Sequence, residues 1–282
     1  MLDADRSATA TPELRTWSRR KIVSRLLRVA AKSDRGDLLR KLMEQIARLR
    51  VRELTAEVAR STGLCVHSGP FRGMALPART SWVDGDLTPK ILGCYEAELH
   101  AAVQRAVDRQ PDVVVNVGCA EGFYTVGLAR RLPRARVFAF DTHDVARAVC
   151  VSAAAANGVA DRVTVEGACT PDRLAELVAG PKRALVVLDC EGAEADLIAP
   201  AVVRQMTACD LLIEAHDFIV PGVTELLAQR LAATHVVERI VEQARDPNAY
   251  PALHALSDVD RALAVCEFRP GIMTWLAAWW RG

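Results

Sequence analysis

The chain has 282 residues, 51% of them hydrophobic and 25% charged, with a net charge of +1 at pH 7. That length can bury a sizeable core, and that balance excludes a disordered, collagenous or low-complexity chain. Its eight cysteines are scattered without a C-x-x-C pair or a zinc spacing, no apolar h-region opens the chain, and no run approaches the roughly 18 apolar residues of a membrane span, so free thiols, no membrane and a reducing, cytoplasmic setting are expected.

Met1–Arg52 is basic, with fourteen Lys/Arg against six Asp/Glu, which leaves about −7 for the remainder. Such an arm could touch nucleic acid, anionic lipid or an acidic neighbour, or could be a solvated helical face. Within it, Ile22, Val23, Leu26, Leu27 and Ala30 fall at helical spacing, as do Leu38, Leu39, Leu42, Met43, Ile46 and Leu49. Ser33, Asp34, Gly36 and Asp37 between them supply turn and capping chemistry, which predicts a helical hairpin over residues 12–60. Its apolar stripe needs cover, from the main domain as a lid or from a second subunit as a homodimer contact. From Cys65 to Lys90 the text is rich in Gly, Pro and polar residues, an irregular linker or lid. A helix is expected from near Gly93, through CYEAELHAAVQRAV. The domains are accordingly 1–92, hairpin and lid, and 93–282, the main domain.

After Pro111 short apolar runs at 113–117, 137–140, 163–165, 185–188 and 211–213 alternate with helical segments at 122–132, 143–156, 171–179, 193–206 and 222–233. Nearly all-apolar strands separated by helices mean a parallel sheet covered on both faces. Thr170-Pro171 marks a helix start and Gly158 a helix end. HVVERIVEQ and GIMTWLAAWW add two strands, expected as an antiparallel pair at the sheet edge. The fold class is therefore α/β, a Rossmann-like, seven-stranded, mostly parallel sheet. The tryptophans at 275, 279 and 280 fit core and edge packing better than a ligand cage.

Ligands of such sheets bind beyond the carboxyl ends of the strands. The first strand ends in Asn116-Val117-Gly118-Cys119-Ala120-Glu121-Gly122, where glycines four apart permit a tight turn and close ligand approach before a helix N-terminus. Asp141 follows 19 residues after Gly122, placed to accept both hydroxyls of a ribose. The third strand ends in Glu166-Gly167-Ala168-Cys169, small residues suited to a flat base. The fourth ends in Asp189-Cys190-Glu191-Gly192, the fifth in Glu214-Ala215-His216-Asp217. A dinucleotide turn would read G-x-G-x-x-G, which is absent, and Glu121 would repel a diphosphate. A nucleoside with a cationic sulfonium tail tolerates that acid, which favours S-adenosylmethionine (SAM) over NAD.

The runs NVGCAEGFYTVGLA, VFAFDTHD and VVLDCEGAE resemble the class I methyltransferases, and VLDCEGAE with LLIEAHDF resembles the FkbM family of natural-product and sugar O-methyltransferases. The resemblance spans Val113–Phe218, with weaker likeness in GPFRGM, ILGCYEAEL and RPGIMTWL; D-x-E-G-x-E is its most specific part. It implies SAM as cofactor, with Gly118, Cys119, Ala120, Glu121 and Gly122 along the methionine end, and Phe123 and Thr142 beside these contacts. It also implies Asp141 on the ribose, Ala168 and Cys169 beside adenine, and Asp189 beside the reacting methyl. Tyr95, Glu96 and His100 resemble a segment that closes over the cofactor; Tyr95 could equally be core. The family commonly has Asp where this chain has Asn116, a position that helps hold the cofactor's amino group.

Methyl transfer to an alcohol needs an aligned nucleophile and a proton acceptor. His216 is the first candidate base, because imidazole titrates near neutrality; alternatively it is a histidine satisfied by Glu214 or Asp217. Asp189 is the second catalytic candidate, expected to orient rather than to take the proton, since an unperturbed Asp titrates near about 3.9. Glu191 and Glu194 could favour a helix start, or join Asp189 and Glu214 around a divalent ion; no metal is assigned. Cys119 and Cys190 suit small apolar packing. The expected activity is O-methylation of a hydroxyl on a sugar or specialised metabolite. One rival is a nucleic-acid methyltransferase using the basic arm, against which stands the lack of an N-P-P-[YF] tetrad for a flipped base. Another, suggested by Asn116, is a cofactor-binding protein without turnover.

Overall fold

A computed structural model describes residues 36–78, 86–180 and 182–282. The first helix of the expected hairpin lies outside them; the second is observed as one helix, Gly36–Thr62. The chain divides into two units, Met1–Arg50 and Val51–Gly282. In the first, Leu38, Met43, Ile46 and Leu49 are exposed. In the second, Val51, Leu54 and Val58 are buried. Within the second unit Val66, Phe71, Met74 and Ile91, from the stretch expected as a linker or lid, join the same apolar cluster as Val114, Leu185 and Trp275.

The irregular stretch after Thr62 is folded down by its own bonds: Cys65 and Ala75 form an antiparallel bridge, and Phe71 packs edge-on against Phe123 and Tyr124. Phe71 fits only because residue 127 is glycine; a Cβ there would lie 2.5 Å from its ring. The helix expected from Gly93 is displaced. A short helix, Leu87–Leu92, precedes it and ends at Gly93, where φ is 79°, and a Cβ on Gly93 would meet the Ser68 carbonyl at 2.2 Å. Tyr95 and Glu96 form a turn, and a helix resumes only at His100–Asp108.

The sheet is built from β1 (Val113–Val117), β2 (Arg136–Phe140), β3 (Val163–Glu166), β4 (Ala184–Leu188), β5 (Cys209–Ala215), β6 (His235–Val241) and β7 (Thr274–Trp280). Its order is β3-β2-β1-β4-β5-β7-β6. The first five strands run parallel, and β7 is antiparallel to both β5 and β6. This is the expected seven-stranded, mostly parallel α/β architecture, with the later strand of the tail pair inside and the earlier one at the edge. Alternate residues of the central strands feed two cores, Val114, Leu185 and Leu212 on one face and Val115, Val186 and Leu211 on the other. The expected helix 193–206 is broken into Glu194–Leu197 and Pro200–Val203, because Pro200 lacks an amide and drives Ala199 into the extended region, with ψ at 151°. Strand order reverses between β1 and β4, so a crevice opens where those two strands end.

Candidate functional site

A cleft of about 560 Å³ occupies that crevice, within the usual range for small-ligand sites. Of the residues expected to serve a site, Tyr95, Gly118, Ala120, Glu121, Asp141, Thr142, Ala168, Cys169, Asp189 and His216 line it. Asn116, Cys119, Gly122, Phe123 and Glu96 stand behind the lining.

The turn after β1 has left-handed φ at Gly118 (79°), Ala120 (45°) and Gly122 (94°). Gly118 is dictated by a crossing of chains: a Cβ there would lie 1.5 Å from the Asp189 carbonyl oxygen. At Gly122 a Cβ would come within 2.9 Å of Cys150 Sγ. Both glycines thus serve close backbone packing, a reason the spacing alone did not reveal. The Asp141 carboxylate fixes the turn, accepting the Ala120 N–H at 2.9 Å and the His143 N–H at 2.8 Å. Cys119 packs with Ala139 and Cys150. Asn116 is buried; its side chain accepts the Thr125 hydroxyl at 2.8 Å and donates to the Val187 carbonyl at 3.5 Å. It ties β1 to the following helix and to β4 instead of meeting the cleft. Phe123 packs edge-on against Tyr95.

Glu121 does not present the bare negative charge expected of it. Lys90 contacts its carboxylate, reaches Asp86 at 2.5 Å, and lies over the Tyr95 ring at 4.5 Å. Burial works against the Lys90 charge, but the Asp86 and Glu121 carboxylates outweigh it and push its pKa up. The expected repulsion of a diphosphate by Glu121 therefore loses its force, and the case against a dinucleotide rests on the missing G-x-G-x-x-G. Lys90 escaped the sequence reading because its partner is 31 residues away; its position as the one cation in the run LTPKILG was the available signal.

Across the cleft lies an acidic pole. His216 is 2% exposed, and its Nδ1 is 2.7 Å from Glu194 Oε1. Its Nε2 lies 3.5 Å from Asp189 and 3.6 Å from Glu191. The partner of His216 is thus neither Glu214 nor Asp217, which instead accepts the Gly222 N–H at 3.0 Å. Burial lowers the His216 pKa, but the Glu194 hydrogen bond and the charges of Asp189 and Glu191 raise it overall. Burial, with the nearby charge of Glu96, pushes Asp189 up to about 6. Glu214 is pushed well above the carboxylate range by burial and by Asp189. Glu191 holds a left-handed φ of 53°, unusual for a non-glycine residue. Among the described residues, Asp189, Glu214 and His216 offer ligand atoms within 4.8 Å of one another, a set that could hold a metal ion.

A third cluster closes the cleft from the C-terminal side. Arg269 pairs with Glu214, with Glu96 at 2.6 Å and with Glu267 at 3.2 Å. Glu96, fully buried at φ 48°, also accepts the Tyr124 hydroxyl. The tail run RPGIMTWL gave no hint of this role, because Arg269 and Glu96 are 173 residues apart.

No protein-family model matches the chain and no curated protein matches it in sequence. Solved structures similar to it include a precorrin-6y C5,15-methyltransferase from Geobacter metallireducens GS-15, at 17% identity, TM-score 0.45, covering 67% of this chain and 90% of that one. The O-methyltransferase TomG from Streptomyces achromogenes, in complex with SAM, is similar at 16% identity and TM-score 0.46, covering 69% and 83%. An O-methyltransferase from Bacillus cereus, in complex with SAH, is similar at 14% identity and TM-score 0.41, covering 62% and 77%.

Proposed function

We propose that this chain is a SAM-dependent, FkbM-like methyltransferase acting on a hydroxyl of a small acceptor, a sugar or specialised metabolite. The observation that carries the reading is one cleft that joins a nucleoside-sized end to a proton-accepting pole. At the first end stand the turn after β1, Asp141 and the small residues Ala168 and Cys169. Asp141 already accepts two amides, but a carboxylate offers about four lone-pair sites, so it can still take ribose hydroxyls. At the other end stand Asp189 and His216.

Bound SAM would supply an activated methyl carbon. What the chain itself must do is hold an acceptor hydroxyl in line and remove its proton. His216 suits the proton transfer, because Glu194 accepts the Nδ1 proton in a hydrogen bond, which leaves the Nε2 lone pair toward Asp189 and the cleft. Asp189 orients the hydroxyl beside it. The acids of this pole disfavour a phosphate backbone and with it a nucleic-acid acceptor.

Calorimetry with SAM and its demethylated product, S-adenosylhomocysteine (SAH), tests the reading. Binding of both is expected; no binding at hundreds of micromolar, with NAD binding instead, would sink it.

A further inference from the structure

The permanent cations of the cleft are already engaged. Lys90 lies between Asp86 and Glu121, and Arg269 among Glu96, Glu214 and Glu267. Among the described residues, no lysine or arginine pairs with Asp189 or Glu191. Asp189, with a side chain 30% exposed, and Glu191, 58% exposed, both stand near Nε2 of His216, whose other nitrogen is committed to the buried Glu194, and Asp189 also hydrogen-bonds the Glu214 carboxyl. His216 is almost fully buried and lines the cleft, yet its Nε2 makes no hydrogen bond among the described residues; the two acids stand beyond good hydrogen-bonding distance. A buried ring nitrogen and two solvent-accessible carboxylates thus converge on open cleft space.

We infer that the acceptor carries an ammonium group beside its reacting hydroxyl, as in an amino alcohol or amino sugar, with the ammonium between Asp189 and Glu191 and the hydroxyl at His216 Nε2. This rests on the methyltransferase reading and narrows its acceptor. A single sulfonium charge does not offset the acids of this pole, and a low-dielectric cleft focuses what remains onto the incoming molecule. An acceptor bearing phosphate or carboxylate meets the like charges of Asp189 and Glu191 there. A neutral polyol is tolerated but leaves the surplus charge in place. An ammonium cancels it.

The test uses the full chain, radiolabelled SAM and matched triplets of hexoses and cyclitols bearing an amine, a hydroxyl or a carboxylate beside the acceptor hydroxyl. Amine members are expected to be methylated with kcat/KM at least tenfold above their neutral counterparts, and carboxylate members not at all. Glu191→Gln is expected to bring the amine-to-neutral ratio near one while SAH affinity, by calorimetry, stays within twofold. Equal use of all three classes, a preference for the carboxylates, no turnover of any amine, or an unchanged ratio in Glu191→Gln would overturn the inference. So would tight binding of Mg²⁺ or Mn²⁺ alone that is lost in Asp189→Asn, since a metal would then satisfy the pole. Failure of SAH to bind wild-type protein sinks the methyltransferase reading and this inference together, whereas SAH binding without the amine preference sinks this inference alone.

Discussion

Single residues carry the chemistry, and two of them show how differently sequence exposes its reasons. Gly118 was visible as a turn glycine, but the overlap of its missing Cβ with the Asp189 carbonyl could be seen only in three dimensions. Gly118→Ala should therefore cost about 3–5 kcal/mol, the upper range of single-residue effects, measured by urea denaturation; a loss below about 1 kcal/mol would show that the crossing relaxes easily. His216 was legible as a strand-end histidine, and its partner was not, because Glu194 sits in a helix that starts only after β4. As a base His216 must be unprotonated, and its raised pKa moves the acid limb of kcat/KM above its ordinary value of about 6.5. Glu194→Gln removes the hydrogen bond that favours the charged ring, so the limb should move to lower pH as kcat falls. His216→Ala should lower kcat by roughly 10²–10⁴-fold with SAH affinity preserved. A pH profile unchanged by Glu194→Gln would remove His216 from the proton transfer.

Among elements, the short helix Leu87–Leu92 matters most, and it was absent from the sequence reading because six residues cannot set up a helical period. It delivers Lys90, with a side chain 5% exposed, to Glu121, 4% exposed, and so clamps this helix to the turn after β1. Removing one partner of a buried pair leaves the other charge uncompensated. Lys90→Met should cost about 3–5 kcal/mol, while adding Glu121→Leu should recover much of that, since apolar replacement of a whole pair is often close to neutral. Urea midpoints of the two variants decide it, and equal stability of single and double variants would deny the clamp. The parallel βα units, by contrast, were readable almost residue by residue, because β1, β4 and β5 are buried on both faces and each must be written as an apolar run.

At the scale of the molecule, Arg269 gathers Glu96 from the turn before the sheet, Glu214 from β5 and Glu267 from its own segment. No local pattern predicts such a junction. Glu214 and Glu267 already have raised pKa values, chiefly through burial. Arg269→Met should raise them further, so the folded state holds protons that the unfolded state gives up, and its stability rises as pH falls. The deficit of the variant against wild type should accordingly be largest near pH 7 and shrink by pH 5, by urea denaturation at both; a deficit that grows toward pH 5 would contradict the charge argument.

The strand order also bears on how the chain is made. β6 is synthesised before β7 but pairs only with it, so residues 235–241 emerge with no hydrogen-bonding neighbour and must wait for residues 274–280. Until then β5 presents an unfilled edge, and a premature pairing of β6 with β5 would exclude the strand that belongs between them. The short helices of 247–264 lie between the two strands in sequence, so this segment must be made before either β6 or β7 can take its place in the sheet.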